Sequence, residues 1–172
     1  MTDPVQITPH FSLAELTRSS VATAHGLDNT PNEEQLENIK ATAARLEKIR
    51  ACLGQKYQRS VAIRITSCFR SPAVNRAAGG SPTSAHLHGS AADIRAGGLT
   101  SRQLAEDIVQ MRDEGLITFD QLILEFPDTP GIRSWVHFGC RHRSAERNQV
   151  KTSVKRRIGG KLQTVYLEGL EP

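Results

Sequence analysis

The sequence predicts an α+β fold, a small, mainly antiparallel sheet with helices packed on it. Two observations lead there. The long stretch "NTPNEEQLENIKATAARLEKIRACLG" carries apolar residues at helical spacing, and "VAIRIT" alternates apolar with polar residues as a half-buried strand does. Helical signals run together early and strand signals cluster late, a pattern of segregated rather than alternating elements.

Taken in order, "FSLAEL" pairs Ser12 with Glu15 in a capping-box pattern and opens a short helix. In the long stretch, Thr30 is expected to cap, Pro31 to take the first helical position and Glu33 to complete the box. Leu36, Ile39, Ala43, Leu46, Ile49 and Leu53 form its core face, and Gly54 is expected to end it. Val61, Ile63 and Ile65 then mark the inner face of a strand. The Pro-, Gly- and Ser-rich "SCFRSPAVNRAAGGSPTS" reads as mostly loop. A turn at Gly89 leads into the strand "AADI". "GLTSRQLAEDIVQMRDEG" is a second helix, with Thr100 and Gln103 as its box and Gly115 near its end. "FDQLILEF" and "SWVHFG" are strands separated by the turn-rich "PDTPGIR". The tail reads strand, Gly159-Gly160 turn, strand.

The 172 residues suit one domain, 1–172, with a motif-bearing core at about 11–140 and a basic strand pair at 150–168. No apolar run has the length of a membrane span, so membrane insertion is not expected. The first residues, "MTDPVQITPHFSLAEL", lack a basic segment followed by an apolar one, so the chain is expected to be made in a cytoplasm without a signal peptide. Cys52, Cys68 and Cys140 are odd in number and form no C-x-x-C pair, which argues against a thiolate metal site and for buried thiols. The net charge of +4 lies largely in "RHRSAER" and "KRR". No aromatic residues interleave with it, so no nucleic-acid partner is expected; an anionic polymer would suit it equally. For oligomeric state a monomer is favoured.

The chemistry concentrates in "SAHLHGSAADI", which sets His86, His88 and Asp93 among small residues. A hydrolytic zinc site uses three protein ligands and keeps a fourth position open. His86 and Asp93 can supply two if the chain bends at Gly89, with Ala91 and Ala92 leaving room. His137 is the strongest candidate for the third, since alternation puts it on one strand face with Trp135. His10 and His25 have no acidic or histidine partner repeating the pattern, His142 sits between two arginines, and His88 belongs outside the first ligand set. Spacing alone fits a hydrogen-bonded turn as well as a metal.

The stretch Ser84–Asp93 fits S-x-H-x-x-G-x-A-x-D, and in this it resembles the zinc D-Ala-D-Ala carboxypeptidase family, the M15 peptidases. "ITSCFRSPAVN" resembles that family's "TSGYRSPxxN" segment, and "WVHFG" its third-ligand strand. "GLDNTPNEEQLENI" is similar to the opening helix of its shorter, phage-associated branch. The resemblance implies Zn2+ held at the sheet by His86, Asp93 and His137. It implies that Arg70 orients the substrate carbonyl and stabilises its oxyanion. Ser84 would donate to the substrate, and Asn75 would bind it or hold the loop. Cys68 and Phe69 stand where the family has glycine and tyrosine, and neither change removes a ligand.

Many members carry a catalytic glutamate three residues before the last histidine, where this chain has Ser134. Glu125, at the end of the preceding strand, is the nearest acid, and a hairpin through "PDTPGIR" would bring it beside His137. The expected function is therefore zinc-dependent hydrolysis of peptidoglycan stem peptides, with Glu125 as base. The family leaves open a carboxypeptidase or an endopeptidase, acting at the cell wall after release as a phage or prophage lysis enzyme. The alternative is a zinc-binding module that has lost catalysis and holds a wall peptide.

Overall fold

A computed structural model describes residues 5–171. The first part runs β1 (Gln6–Thr8), β2 (Phe11–Ser12), α1 (Leu13–Thr17), α2 (Ser20–His25), α3 (Glu33–Tyr57), β3 (Ile63–Ser67) and α4 (Pro72–Ala77). A 3-10 turn (Ala85–His88) then precedes β4 (Ala91–Ala96), α5 (Ser101–Asp113), β5 (Gln121–Glu125), β6 (Trp135–Gly139), β7 (Gln149–Ile158) and β8 (Lys161–Glu168). The fold is α+β. β1 and β2 form a small antiparallel pair, and the other strands form a six-stranded sheet in the order β3-β4-β6-β5-β7-β8. The sheet is mixed, because β7 lies parallel to β5 while the other neighbours are antiparallel.

The apolar face expected for α3 is observed: Ile39, Ala43, Leu46, Ile49 and Leu53 are fully buried. They share one core with Leu104 and Ile108 of α5 and with Ile65, Ile94, Leu122, Leu124, Val136 and Phe138 of the sheet. The ends of α3 differ from the expectation. Thr30 does not cap, because its amide and hydroxyl both donate to Asp28 Oδ1, at 2.9 and 2.6 Å. The cap is Asn32, whose box partner is Gln35 rather than Glu33. Gly54 lies inside the helix, which stops at Gln58 in the left-handed region. At α5 the Thr100–Gln103 box forms as expected.

The segment expected to be mostly loop contains α4 and the 3-10 turn. Ser71 caps α4 and Pro72 begins it, a start signal that the surrounding Gly and Ser obscure. The 3-10 turn is held from behind by α3. Gln35 Nε2 donates to Leu87 O (3.1 Å), Asn38 Nδ2 to His88 O (2.9 Å) and Thr42 Oγ1 to Gly89 O (2.9 Å). Three successive carbonyls that the turn cannot satisfy internally are thus met by one helix face.

Gly89 ends this turn at φ +70°, and a Cβ there would lie 2.6 Å from Ile39 Cγ1 and 2.9 Å from Gln35 O. Left-handed strain and overpacking act together, so Gly89→Ala is expected to lower unfolding stability by about 2–4 kcal/mol. Urea unfolding of the two proteins, followed by circular dichroism, measures it.

Candidate metal centre

β4 and β6 pair so that Asp93 lies directly opposite His137. Side chains on directly opposed residues point to the same side of a sheet, here away from the apolar core. His86 reaches the same point from the 3-10 turn. Asp93 Oδ1 is 3.0 Å from His137 Nδ1 and 3.3 Å from His86 Nε2, and the two nitrogens are 3.3 Å apart. His86, Asp93 and His137 therefore form a group able to hold a metal ion.

The spacings carry chemical information. Ligands about 2.0–2.1 Å from a tetrahedral zinc stand about 3.3 Å from one another, the edge of the tetrahedron. The His86 tautomer points the same way. Its Nδ1 donates to the Cys68 carbonyl at 2.6 Å, so Nε2 of the neutral ring carries a lone pair. That lone pair faces a carboxylate oxygen, an arrangement that a shared cation resolves. The donors present thus fit zinc, with the second ring nitrogen of His86 oriented by backbone.

Charge within the site is unevenly placed. Burial pushes the His86 imidazole below its usual value and so keeps it neutral. Burial also opposes ionisation of Asp93, yet its histidine neighbours outweigh it and hold this carboxyl below the usual range. Arg70 adds to the support: Nη2 donates to Asp93 Oδ2 at 3.1 Å and Nε to Ser67 Oγ at 2.9 Å. Glu125 behaves oppositely. Burial raises its carboxyl above the ordinary value, against the hydrogen bond donated by Ser153 Oγ.

Glu125 stands two residues along β5 from Ile123, the residue opposite His137, so it shares the face of the histidine. Ser134 Oγ donates to the Glu125 carbonyl oxygen at 2.7 Å and ties the two strand ends together. Ser84 caps the 3-10 turn by accepting from His86 N at 3.3 Å. Asn75 stands apart: it is buried behind the cleft wall, where Nδ2 donates to Ser81 O at 2.9 Å. His10 pairs with Glu47, His142 lies 3.2 Å from Thr42 Oγ1, and His88 is exposed on the cleft rim. Cys52, Cys68 and Cys140 are free thiols; Cys68 and Cys140 are buried, and burial pushes Cys140 up to about 12.

An open cavity of ≈ 1000 Å³ contains Arg70, Ser84, His86, Asp93, Glu125 and His137. It also contains Trp135, which alternation places on the face of His137, and Phe126, Lys155 and Tyr166, whose place in the cleft the sequence did not reveal. Tyr166 is opposite Ser153 on β8, and Ser153 is opposite Glu125 on β7. Their addition depends on the parallel β5–β7 pairing, for which the linear pattern has no signal.

Residues 9–123 match the model of a family described as Peptidase M15. No curated protein matches the chain. The matched segment contains His86 and Asp93, whereas His137 and Glu125 lie beyond it.

Two outcomes are expected of the metal-free protein. Adding Zn2+ raises the thermal midpoint, and Asp93→Ala removes that rise, as calorimetry at matched zinc concentration would record. Glu125→Gln is more stable than the parent at pH 7, and the gain shrinks as pH falls toward 4. A carboxyl whose folded value is raised destabilises the fold above that value and ceases to do so once protonated in both states. Denaturant midpoints at the two pH values test the sign.

Proposed function

The chain belongs to the M15 peptidase family, and on that premise we propose that it is a zinc-dependent hydrolase of peptidoglycan stem peptides. The family points to a metallopeptidase. The observation that carries the finer reading is the trio of donor atoms at 3.0–3.3 Å, with a buried glutamate on the same sheet face. His86, Asp93 and His137 would hold the zinc, which when bound would supply Lewis acidity and lower the pKa of water at neutral pH.

The residues of the chain divide the remaining work. Glu125 takes the proton of the attacking water and returns it to the leaving amine; a carboxyl raised by burial is suited to both transfers. Arg70 is fixed by Ser67 and Asp93, and its guanidinium steadies negative charge on the substrate carbonyl oxygen. Ser84 Oγ accepts from His86 N, which leaves its own O–H to donate to substrate. Asn75 contributes by holding the Ser81 turn rather than by contact. Two carboxyl groups with opposite environments thereby take different roles: Asp93 stays ionised as ligand, and Glu125 exchanges protons.

In this proposal residues 1–172 act as one peptidase domain on the wall, as a phage or prophage lysis enzyme released from the cytoplasm would. Among the described residues no helix is long and apolar enough to cross a membrane.

Mass spectrometry of muropeptides incubated with zinc-loaded protein, beside a chelated control, tests the reading. A chelator-sensitive loss of alanine or a split stem is expected. Glu125→Gln should lower the rate about 10²–10⁴-fold with zinc content unchanged. Stoichiometric zinc with no cleavage by the parent would favour a binding module instead.

A further inference from the structure

The cleft extends along the strands on both sides of the donor trio, and its two ends differ. Toward Gly139 and Gln121 it meets Arg141 and Arg147, which pair with Asp120 at 2.8 and 2.6 Å, and Arg143, which pairs with Glu34 at 3.0 Å. Arg70, beside the trio, pairs with Asp93. Toward Glu125 the cleft meets Phe126, Trp135, Tyr166 and Lys155. Lys155 is half-buried, donates to Thr164 Oγ1 at 2.8 Å and holds its ammonium 4.9 Å from the centroid of the Phe126 ring. Among the described residues it has no carboxylate within ion-pair distance, unlike the arginines of the same cleft.

Strand register gives the order of these groups. His137 is level with Ile123, Glu125 is level with Ser153, and Lys155 lies two residues further along β7. Each step is about 6.6 Å at the usual strand rise. A general base that returns its proton to the leaving nitrogen must have that nitrogen on its own side of the metal donors. The amine half of a cleaved peptide therefore extends past Glu125 toward Lys155. A lysine steadied by one hydroxyl and one aromatic ring, with Glu125 acting on it only from beyond ion-pair distance, is prepared to receive an anion there.

Building on the peptidase reading above, we propose that Lys155 is a specificity-determining residue that binds a carboxylate on the first or second residue beyond the cleaved bond. That carboxylate is either the C-terminus of the substrate or an acidic side chain. Trp135 and Phe126, 5.6 Å apart and tilted, form the wall against which the same residue packs.

Trp135 is the chain's one tryptophan and reports the cleft by fluorescence. Binding is measured in the zinc-loaded Glu125→Gln protein of 172 residues, so that peptides persist. One pair of probes is N-acetyl-D-Ala-D-Ala and its carboxamide; the other is the amidated N-acetyl-L-Ala-D-Glu and N-acetyl-L-Ala-D-Gln. The acid member of one pair is expected to bind about ten-fold tighter or better, and which pair does so identifies the source of the carboxylate. Lys155→Met abolishes the preference and Lys155→Arg retains it. Equal binding within both pairs, or a preference that survives Lys155→Met, overturns the proposal. Hydrolysis by the protein with Glu125 intact is scored separately. Cleavage without a Lys155 effect removes only this inference, and a Lys155-dependent preference without cleavage removes only the peptidase reading.

Discussion

The register of β4 against β6 is the constraint on which the site depends. Asp93 faces His137 across that pair, while Ala92 and Ile94 turn their side chains into the core. A slip of one residue would send Asp93 into an apolar core and Ile94 into the cleft, so the hydrophobic pattern that folds the sheet also fixes the donors. The third donor depends on a second restraint, the row of α3 side chains that holds the carbonyls of residues 87–89. Packing and polar satisfaction together bring three nitrogen and oxygen atoms to one point before any ion is considered.

Electrostatics then separates two carboxyl groups that share one sheet face. Asp93 is surrounded by imidazoles and a guanidinium and remains charged although buried. Glu125 is buried with a hydroxyl donor from Ser153, and burial outweighs that bond and the weaker pull of His137 and Lys155. The difference follows from the neighbours each strand supplies, since both residues are acids near the middle of a sheet.

Much of this was legible in the sequence where the signal was local. The apolar stripe of α3, the Thr100–Gln103 box and the Gly159-Gly160 hairpin each rest on residues close in the chain, and each is found. His86 and Asp93 could be paired because both lie in one short motif, and His137 because alternation fixed its face. What was missed is non-local or depends on competition. Asp28 takes both donors of Thr30 and moves the start of α3 to Asn32. Gln35, Asn38 and Thr42 look like an ordinary polar helix face until the 3-10 turn is laid against them. The parallel β5–β7 pairing, which sets Ser153 against Glu125 and adds Lys155 and Tyr166 to the cleft, leaves no trace in either strand alone.

The donors are far apart in the chain: His86 and Asp93 precede His137 by 51 and 44 residues. During synthesis α3, the 3-10 turn and β4 all leave the ribosome before β6 exists. A chain grown past β4 but not yet through β5 therefore carries two of the three donors and neither Glu125 nor its Ser153 partner. Contacts of such long range form late, after the loops between them have closed. The donor cluster is therefore complete only once β6 has paired with β4.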